Sequence, residues 1–170
     1  MLAALLRADQ QLVAVHYFTA LVVGLGRPRQ QTYLAALEAH GEVTTLHVGR
    51  FQQKQQRCRN CGQRWNSYEE KESDVSLGVQ LVEDAALDVY DEALVVSGDS
   101  DMTPAVRSVR RLAPAARLVA VFPPRRSSIT LQTHVDSTVR IFDRFPERHQ
   151  LPDPVRAPGG RVYTRPQHWN

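Results

Sequence analysis

Five consecutive residues, Ser97-Gly98-Asp99-Ser100-Asp101, bring together two carboxylates, two hydroxyls and a glycine. Carboxylates two apart on a tight turn can be aimed into one crevice. Held close they repel, and a hard divalent cation such as Mg²⁺ or Mn²⁺, which prefers oxygen ligands, relieves that repulsion. The plainer alternative gives Asp101 the start of the next helix and Asp99 the completion of a turn. A second acidic run, Glu69, Glu70, Glu72 and Asp74 with Lys71 among them, lies upstream. Carboxylates are also favoured in a first helical turn by the helix dipole, and most of this run reads as solvated charge. Asp74 is the exception, because it directly precedes Val75, which the apolar spacing assigns to the core.

The elements that must hold these groups follow from periodicity. Strands are expected over Leu12 to Phe18, Val43 to Phe51, Ala93 to Ser97, Arg117 to Phe122 and Ser137 to Phe142. The third and fourth are short and continuously apolar, as strands buried on both faces should be. A helix runs from Arg29 to a stop at Gly41. Another spans Ser73 to Tyr90, with Val75, Val79, Val82, Ala86 and Val89 as its apolar stripe. A third has Thr103 as N-cap, Pro104 in its first turn and Val106, Val109 and Leu112 facing inward. A short helix fits Ser128 to Val135. Alternating strands and helices imply an α/β fold, a parallel sheet covered on both faces. Ligands of such sheets bind outside the carboxyl ends of the strands, where Ser97 to Asp101 fall. Asp74 can approach that end only through a bend or a lateral offset.

The basic residues cluster. From Arg50 to Arg64 the chain carries Arg50, Lys54, Arg57, Arg59 and Arg64 and no acid, with Phe51, Trp65 and Tyr68 alongside. Cations neutralise phosphates and aromatic rings stack on unpaired bases, so Lys54, Arg57, Arg64 and Trp65 read as a lip for single-stranded RNA. The alternative is a solvated loop with Trp65 packed on the domain. Arg125 and Arg126, after another strand end, are further phosphate candidates. Cys58-Arg-Asn-Cys61-Gly has the spacing of a zinc knuckle. Only these two cysteines exist, and a structural zinc site wants four ligands. The pair is therefore a Zn²⁺ half-site, which His47 or a second chain could complete, or a redox-sensitive pair.

The totals bound the answer. The chain has 170 residues, 42% hydrophobic and 23% charged, with a net charge of +3. That is one domain of ordinary size with enough apolar material for a core. No segment reads as a membrane span or a signal peptide, and two cysteines make no disulfide framework, so a cytoplasmic location is expected. Half of the ten prolines fall after residue 145. The expected organisation is a domain over residues 1–145, with a basic Cys-x-x-Cys loop at 50–68, and an irregular Pro-rich tail at 146–170, pinned by Trp169.

The stretches "EEKESDVSLGVQLVEDA" and "YDEALVVSGDSDMTPAVRSVRRL" resemble the NYN branch of the PIN-like nucleases. "HYFTA", "VGRFQQK", "CRNCGQRW" and "VFPPRRSS" are similar to members of one bacterial subgroup, so the resemblance covers about Leu12 to Arg144. The pairing of Lys71-x-x-Asp74 with Ser97-Gly98-Asp99-Ser100-Asp101 is its most specific part. The resemblance implies a three-layer α/β/α Rossmann-like sheet and an acidic cluster holding Mg²⁺ or Mn²⁺ for RNA cleavage. Family members usually lead with a strand ending in Asp-x-x-Asn. This sequence starts at "MLAALLRADQQLVAVHYF", so the sheet is expected to lack its first central strand. By this resemblance Asp74, Asp99 and Asp101 are the catalytic and metal-binding residues. Ser97 and Ser100 would orient a carboxylate or touch a phosphate, and Lys71 would pair with a phosphate or with neighbouring glutamates. Two activities compete: a divalent-metal-dependent ribonuclease, and an RNA-binding or regulatory module with a degenerate nuclease site. A Toprim or aspartyl-phosphatase domain fits less well, because no leading glutamate or nucleophilic aspartate is present. A homo-oligomer is compatible with either activity.

Overall fold

A computed structural model of the chain describes residues 2–41 and 45–166. In chain order they form a 3₁₀ turn Leu2–Leu5, β1 His16–Ala20, α1 Arg27–His40, β2 Thr45–Arg57, β3 Arg64–Lys71, α2 Ser73–Ala86 and β4 Glu92–Val96. A second 3₁₀ turn, Ser100–Met102, leads into α3 Thr103–Leu112, then β5 Arg117–Phe122, α4 Ile129–Gln132, β6 Ser137–Arg140, α5 Arg144–Arg148, β7 Val155–Arg156 and β8 Val162–Tyr163. The chain divides into two compact units, one of residues 1–13 and 74–150, the other of residues 14–73 and 151–170. Among the described residues no helix is long and apolar enough to cross a membrane.

The first unit is an α/β layer structure on a wholly parallel sheet of order β4-β5-β6. Every side chain of β5 from Leu118 to Phe122 is buried. Alternation sends Leu118, Ala120 and Phe122 to one face, where they meet Ala85 of α2, Met102 of the second 3₁₀ turn, Val106 and Val109 of α3 and Leu131 of α4. Val119 and Val121 go to the other face, with Ile141, Leu5, Leu94 and Phe145. A continuous apolar run thus serves two cores, as expected for a parallel sheet covered on both sides. At the start of β5, Asp136 accepts hydrogen bonds from the Leu118 backbone N–H (2.7 Å) and from the Arg110 guanidinium.

Three expectations about these helices are corrected. The stripe assigned to the inner face of α2 is turned out at its start: Val75 is 71% and Val79 59% exposed. Leu77, Leu81 and Val82 pack inward instead, with Gly78 against the Ala105 methyl. Leucines at a four-residue spacing outbid the smaller valines for the core because each buries more surface. Thr103 does not cap α3; it is the helix's first residue, and its buried hydroxyl has no hydrogen-bond partner among the described residues. Val106 and Val109 are fully buried as expected, but Leu112 at the end of the helix is exposed.

In the second unit β1 and β2 are parallel, and β2 and β3 antiparallel. β1 begins at His16, four residues later than expected. Its pairing starts where the Thr45 N–H meets the Val15 carbonyl, and Leu12 and Val13 have no strand beside them. Residues Val43 and Thr44, expected to open β2, lie outside the described residues. β2 then continues past Phe51 to Arg57 and returns as β3, so most of the segment expected as a loop is a long hairpin. α1 stops where expected: Gly41 adopts φ +78° and its N–H reaches the Glu38 carbonyl. Within the Pro-rich segment β7 and β8 form a small antiparallel pair, and β7 lies against α1 with Val155 buried. Trp169 lies outside the described residues.

Candidate active site and basic hairpin

β4 ends because its polar successors fold back on themselves. The Ser97 N–H reaches the Val95 carbonyl (3.1 Å), and the Ser97 hydroxyl accepts from the Asp99 N–H (3.1 Å). Asp99, in an extended conformation, caps the following 3₁₀ turn: its Oδ1 accepts from the Asp101 N–H at 2.9 Å. Its Oδ2 makes no hydrogen bond among the described residues. The capping role expected as the plainer alternative is therefore present, but Asp99, not Asp101, performs it. Gly98 is required by a close approach, not by an unusual φ: a Cβ there would lie 2.7 Å from the Cβ of Arg126. The loop after β5 thus sits directly against the loop after β4, since the two strands are neighbours.

These loops and the start of α2 enclose an open pocket of about 700 Å³. Its lining includes Asp74 from α2, Val96 to Ser100 after β4, and Pro123, Arg126, Ser127, Ser128 and Thr130 after β5. Of the expected site residues, Asp74, Asp99, Ser97, Ser100 and Arg126 meet here. Asp101 and Arg125 do not line the pocket. Arg125, at φ +59°, directs its guanidinium to Asp143 at 3.1 Å. Arg126 makes no side-chain hydrogen bond or ion pair among the described residues. Thr130 was not anticipated. The signal for it was positional: the loop after the neighbouring parallel strand opens on the same crevice. The Ser128 hydroxyl is engaged as the cap of α4, accepting from the Leu131 N–H.

The donor set at this pocket is all oxygen: two carboxylates and several hydroxyls. Mg²⁺ is typically held by one or two carboxylates together with water and substrate phosphates, so Asp74 and Asp99 fit it. They do not amount to an all-protein cage. Among the described residues no group of three or more His, Cys, Asp or Glu side chains could hold a metal.

The basic segment has a different construction. The ladder runs from Arg50 opposite Lys71 to Arg57 opposite Arg64. Successive side chains alternate between faces, so Lys54 and Trp65 share one face while Arg57, Arg64 and Tyr68 share the other. The single lip expected from the sequence is thus split across the ribbon. Trp65 is half exposed. Lys71 pairs with Glu69 at 3.1 Å and Lys54 approaches the same carboxylate at 3.6 Å, which holds Glu69 below the usual carboxylate range. Of the two roles open to Lys71, pairing with glutamate is the one observed.

Cys58 and Cys61 are free thiols at the hairpin tip. The backbone N–H groups of Cys61 and Asn60 and the Cys61 thiol hydrogen-bond to Cys58, lowering its thiol pKa. His47 cannot join them. It lies eleven residues back along the same extended strand, about 36 Å away at 3.3 Å per residue. There its Nε2 is 3.0 Å from His16 Nδ1 and its ring stacks on Phe18.

Comparison with known proteins bears on both regions. The family model described as the NYN domain matches residues 2–141. A crystal structure of a protein of unknown function from Vibrio parahaemolyticus is similar in fold, with a TM-score of 0.53 and 22% sequence identity over 81% of this chain and 75% of that one. No curated protein sequence matches the chain.

Proposed function

The chain belongs to the NYN domain family, and from that premise we propose that it is a divalent-metal-dependent ribonuclease, hydrolysing RNA phosphodiester bonds at the pocket beyond β4. The observation that carries this reading is the meeting of Asp74, Asp99 and Arg126 in one open pocket at the carboxyl end of a parallel sheet. Asp74 and Asp99 would hold Mg²⁺ or Mn²⁺. When bound, such an ion withdraws charge from the scissile phosphate and makes water more acidic. The chain's own part is positioning. Arg126, uncommitted to any carboxylate among the described residues, presents a planar set of donors suited to phosphate oxygens. The Asp101 N–H fixes the Asp99 carboxyl group by its Oδ1, leaving Oδ2 for a ligand. Ser97, through the Asp99 N–H, holds the turn that aims it. Ser100 and Thr130 add hydroxyl donors for phosphate or water.

A second reading is an RNA-binding module without hydrolysis. It draws support from the pocket having two carboxylates, one of them engaged in capping a turn. Cleavage of single-stranded RNA with Mn²⁺, compared between the wild-type chain and Asp99→Asn, separates the two. Loss of activity in the variant supports the nuclease; equal rates in the two proteins refute it. RNA binding with no cleavage by either protein favours the module.

A further inference from the structure

The tip of the β2–β3 hairpin has a specialised geometry of its own. Cys58 and Cys61 flank a tight turn closed by two hydrogen bonds, Cys58 N–H to the Gln63 carbonyl (2.8 Å) and Gly62 N–H to the Cys58 carbonyl (3.0 Å). Gly62 adopts φ +72°, which a side chain would oppose. A Cys-x-x-Cys turn closed in this way can present two thiolates to a soft or borderline cation.

We infer that Cys58 and Cys61 are half of a tetrahedral zinc site, and that the other half is the same pair on a second copy of this chain. Three observations lead there. Structural zinc takes four protein ligands, and among the described residues none stands near enough to make a third at this tip. The tip is also well placed for a partner. β1 pairs with β2 only as far as Gly49, so from there to Arg57 the ribbon extends about 26 Å with no strand beside it but β3 among the described residues. Cys61 is exposed at its end. The local charge is right as well. A zinc ion with four thiolates is a dianion, and each tip carries Arg57, Arg59 and Arg64 with no acid between Arg50 and Arg64. The Arg57 guanidinium lies over Gly62, within 4 Å of where a Cβ would be. The repulsion of these arginines across a tip-to-tip contact is offset in part by the negative cluster they surround. Identical tips meeting about a two-fold axis give a closed dimer, not a filament.

The test is titration of the reduced full-length chain with Co²⁺ and with Zn²⁺. Co²⁺ is expected to produce thiolate charge-transfer bands and the intense d–d absorption of tetrahedral coordination, saturating at one ion per two chains. Zn²⁺ is expected to double the sedimentation mass, and a chelator to restore the monomer. Cys58→Ser and Cys61→Ser should each abolish both effects, with circular dichroism confirming that the variants are folded. Saturation at one ion per chain, absence of thiolate bands, or an unchanged mass in the wild-type titration would overturn the inference. None of these readouts involves RNA cleavage, so the result stands apart from the nuclease reading.

Discussion

Along β5, every side chain from Leu118 to Phe122 is out of water. Along the outer part of β2 and β3 nearly every side chain is in it, and Trp65 and Tyr68 are about half exposed. Both regions are extended chain with paired backbones. In the first, burial on two faces drives the strands together and the sheet delivers Ser97 to Asp101 to its edge. In the second, little apolar surface is hidden, and the ladder is held by backbone hydrogen bonds, cross-strand contacts such as Gln56 to Ser67, and ion pairs around Glu69. A two-stranded ribbon of that kind is marginal by itself. The comparison teaches that the pocket rests on a packed scaffold that fixes its geometry, whereas the hairpin presents charge and thiols on a structure that gains most from a partner.

The comparison can be broken or sharpened by substitution. The largest effect is expected at the pocket. Asparagine caps a turn as well as aspartate does, so Asp99→Asn should keep the fold and its melting temperature. Its RNA cleavage rate should fall on the order of 100-fold, the size of effect seen when one preorganised charge-stabilising group is removed. Kinetics alongside a thermal melt check both halves. Next is the scaffold itself: Leu118→Ala should cost about 2–5 kcal/mol of stability in urea unfolding, since it leaves a cavity among Val106, Val109 and Leu131. Gln55→Ala on the ribbon should stay within about 0.5 kcal/mol. Equal costs at the two positions would abolish the distinction drawn here.

Gly98→Ala tests the joint between scaffold and pocket. The added methyl meets the Arg126 Cβ, not a flexible chain end, so the loop after β5 must move. A loss of about 1–3 kcal/mol is expected, together with weaker RNA binding than wild type in a filter assay. Smaller effects come from polar groups inside the packed region. Thr103→Val removes a buried hydroxyl without a partner and should stabilise the protein by about 1 kcal/mol in the same unfolding assay. Tyr90, against the α2–α3 core, donates to the Leu81 carbonyl, and burial, with help from Asp84, pushes its pKa up to about 12. A raised folded-state value means a contribution fully present below pH 10 and lost as pH climbs through about 12. Tyr90→Phe should flatten that alkaline decline in pH-dependent melts.

The legibility of the two regions differed for the same physical reason. Short apolar strands are written in hydrophobic spacing because burial selects them, and the acidic turn after β4 is written in residue type. The hairpin is not, because "FQQKQQR" hides almost nothing and its strand character comes from the partner it pairs with, Arg64 to Lys71. The same limit misassigned α2. Valine and leucine stripes coexist on that helix, and Leu77, Leu81 and Val82 are the residues that pack against the core.

Sequence by itself determined the family, the α/β class and the identity of the strand end that carries Ser97 to Asp101, since those depend on local chemistry and apolar runs. Tertiary structure alone decided that Arg126 and Thr130 join Asp74 and Asp99 while Asp101 turns aside, and that the cysteines ride at the end of a ribbon far from His47. Such facts depend on which segments become neighbours in space, and a chain's spacing along itself carries no record of that until the strands have paired.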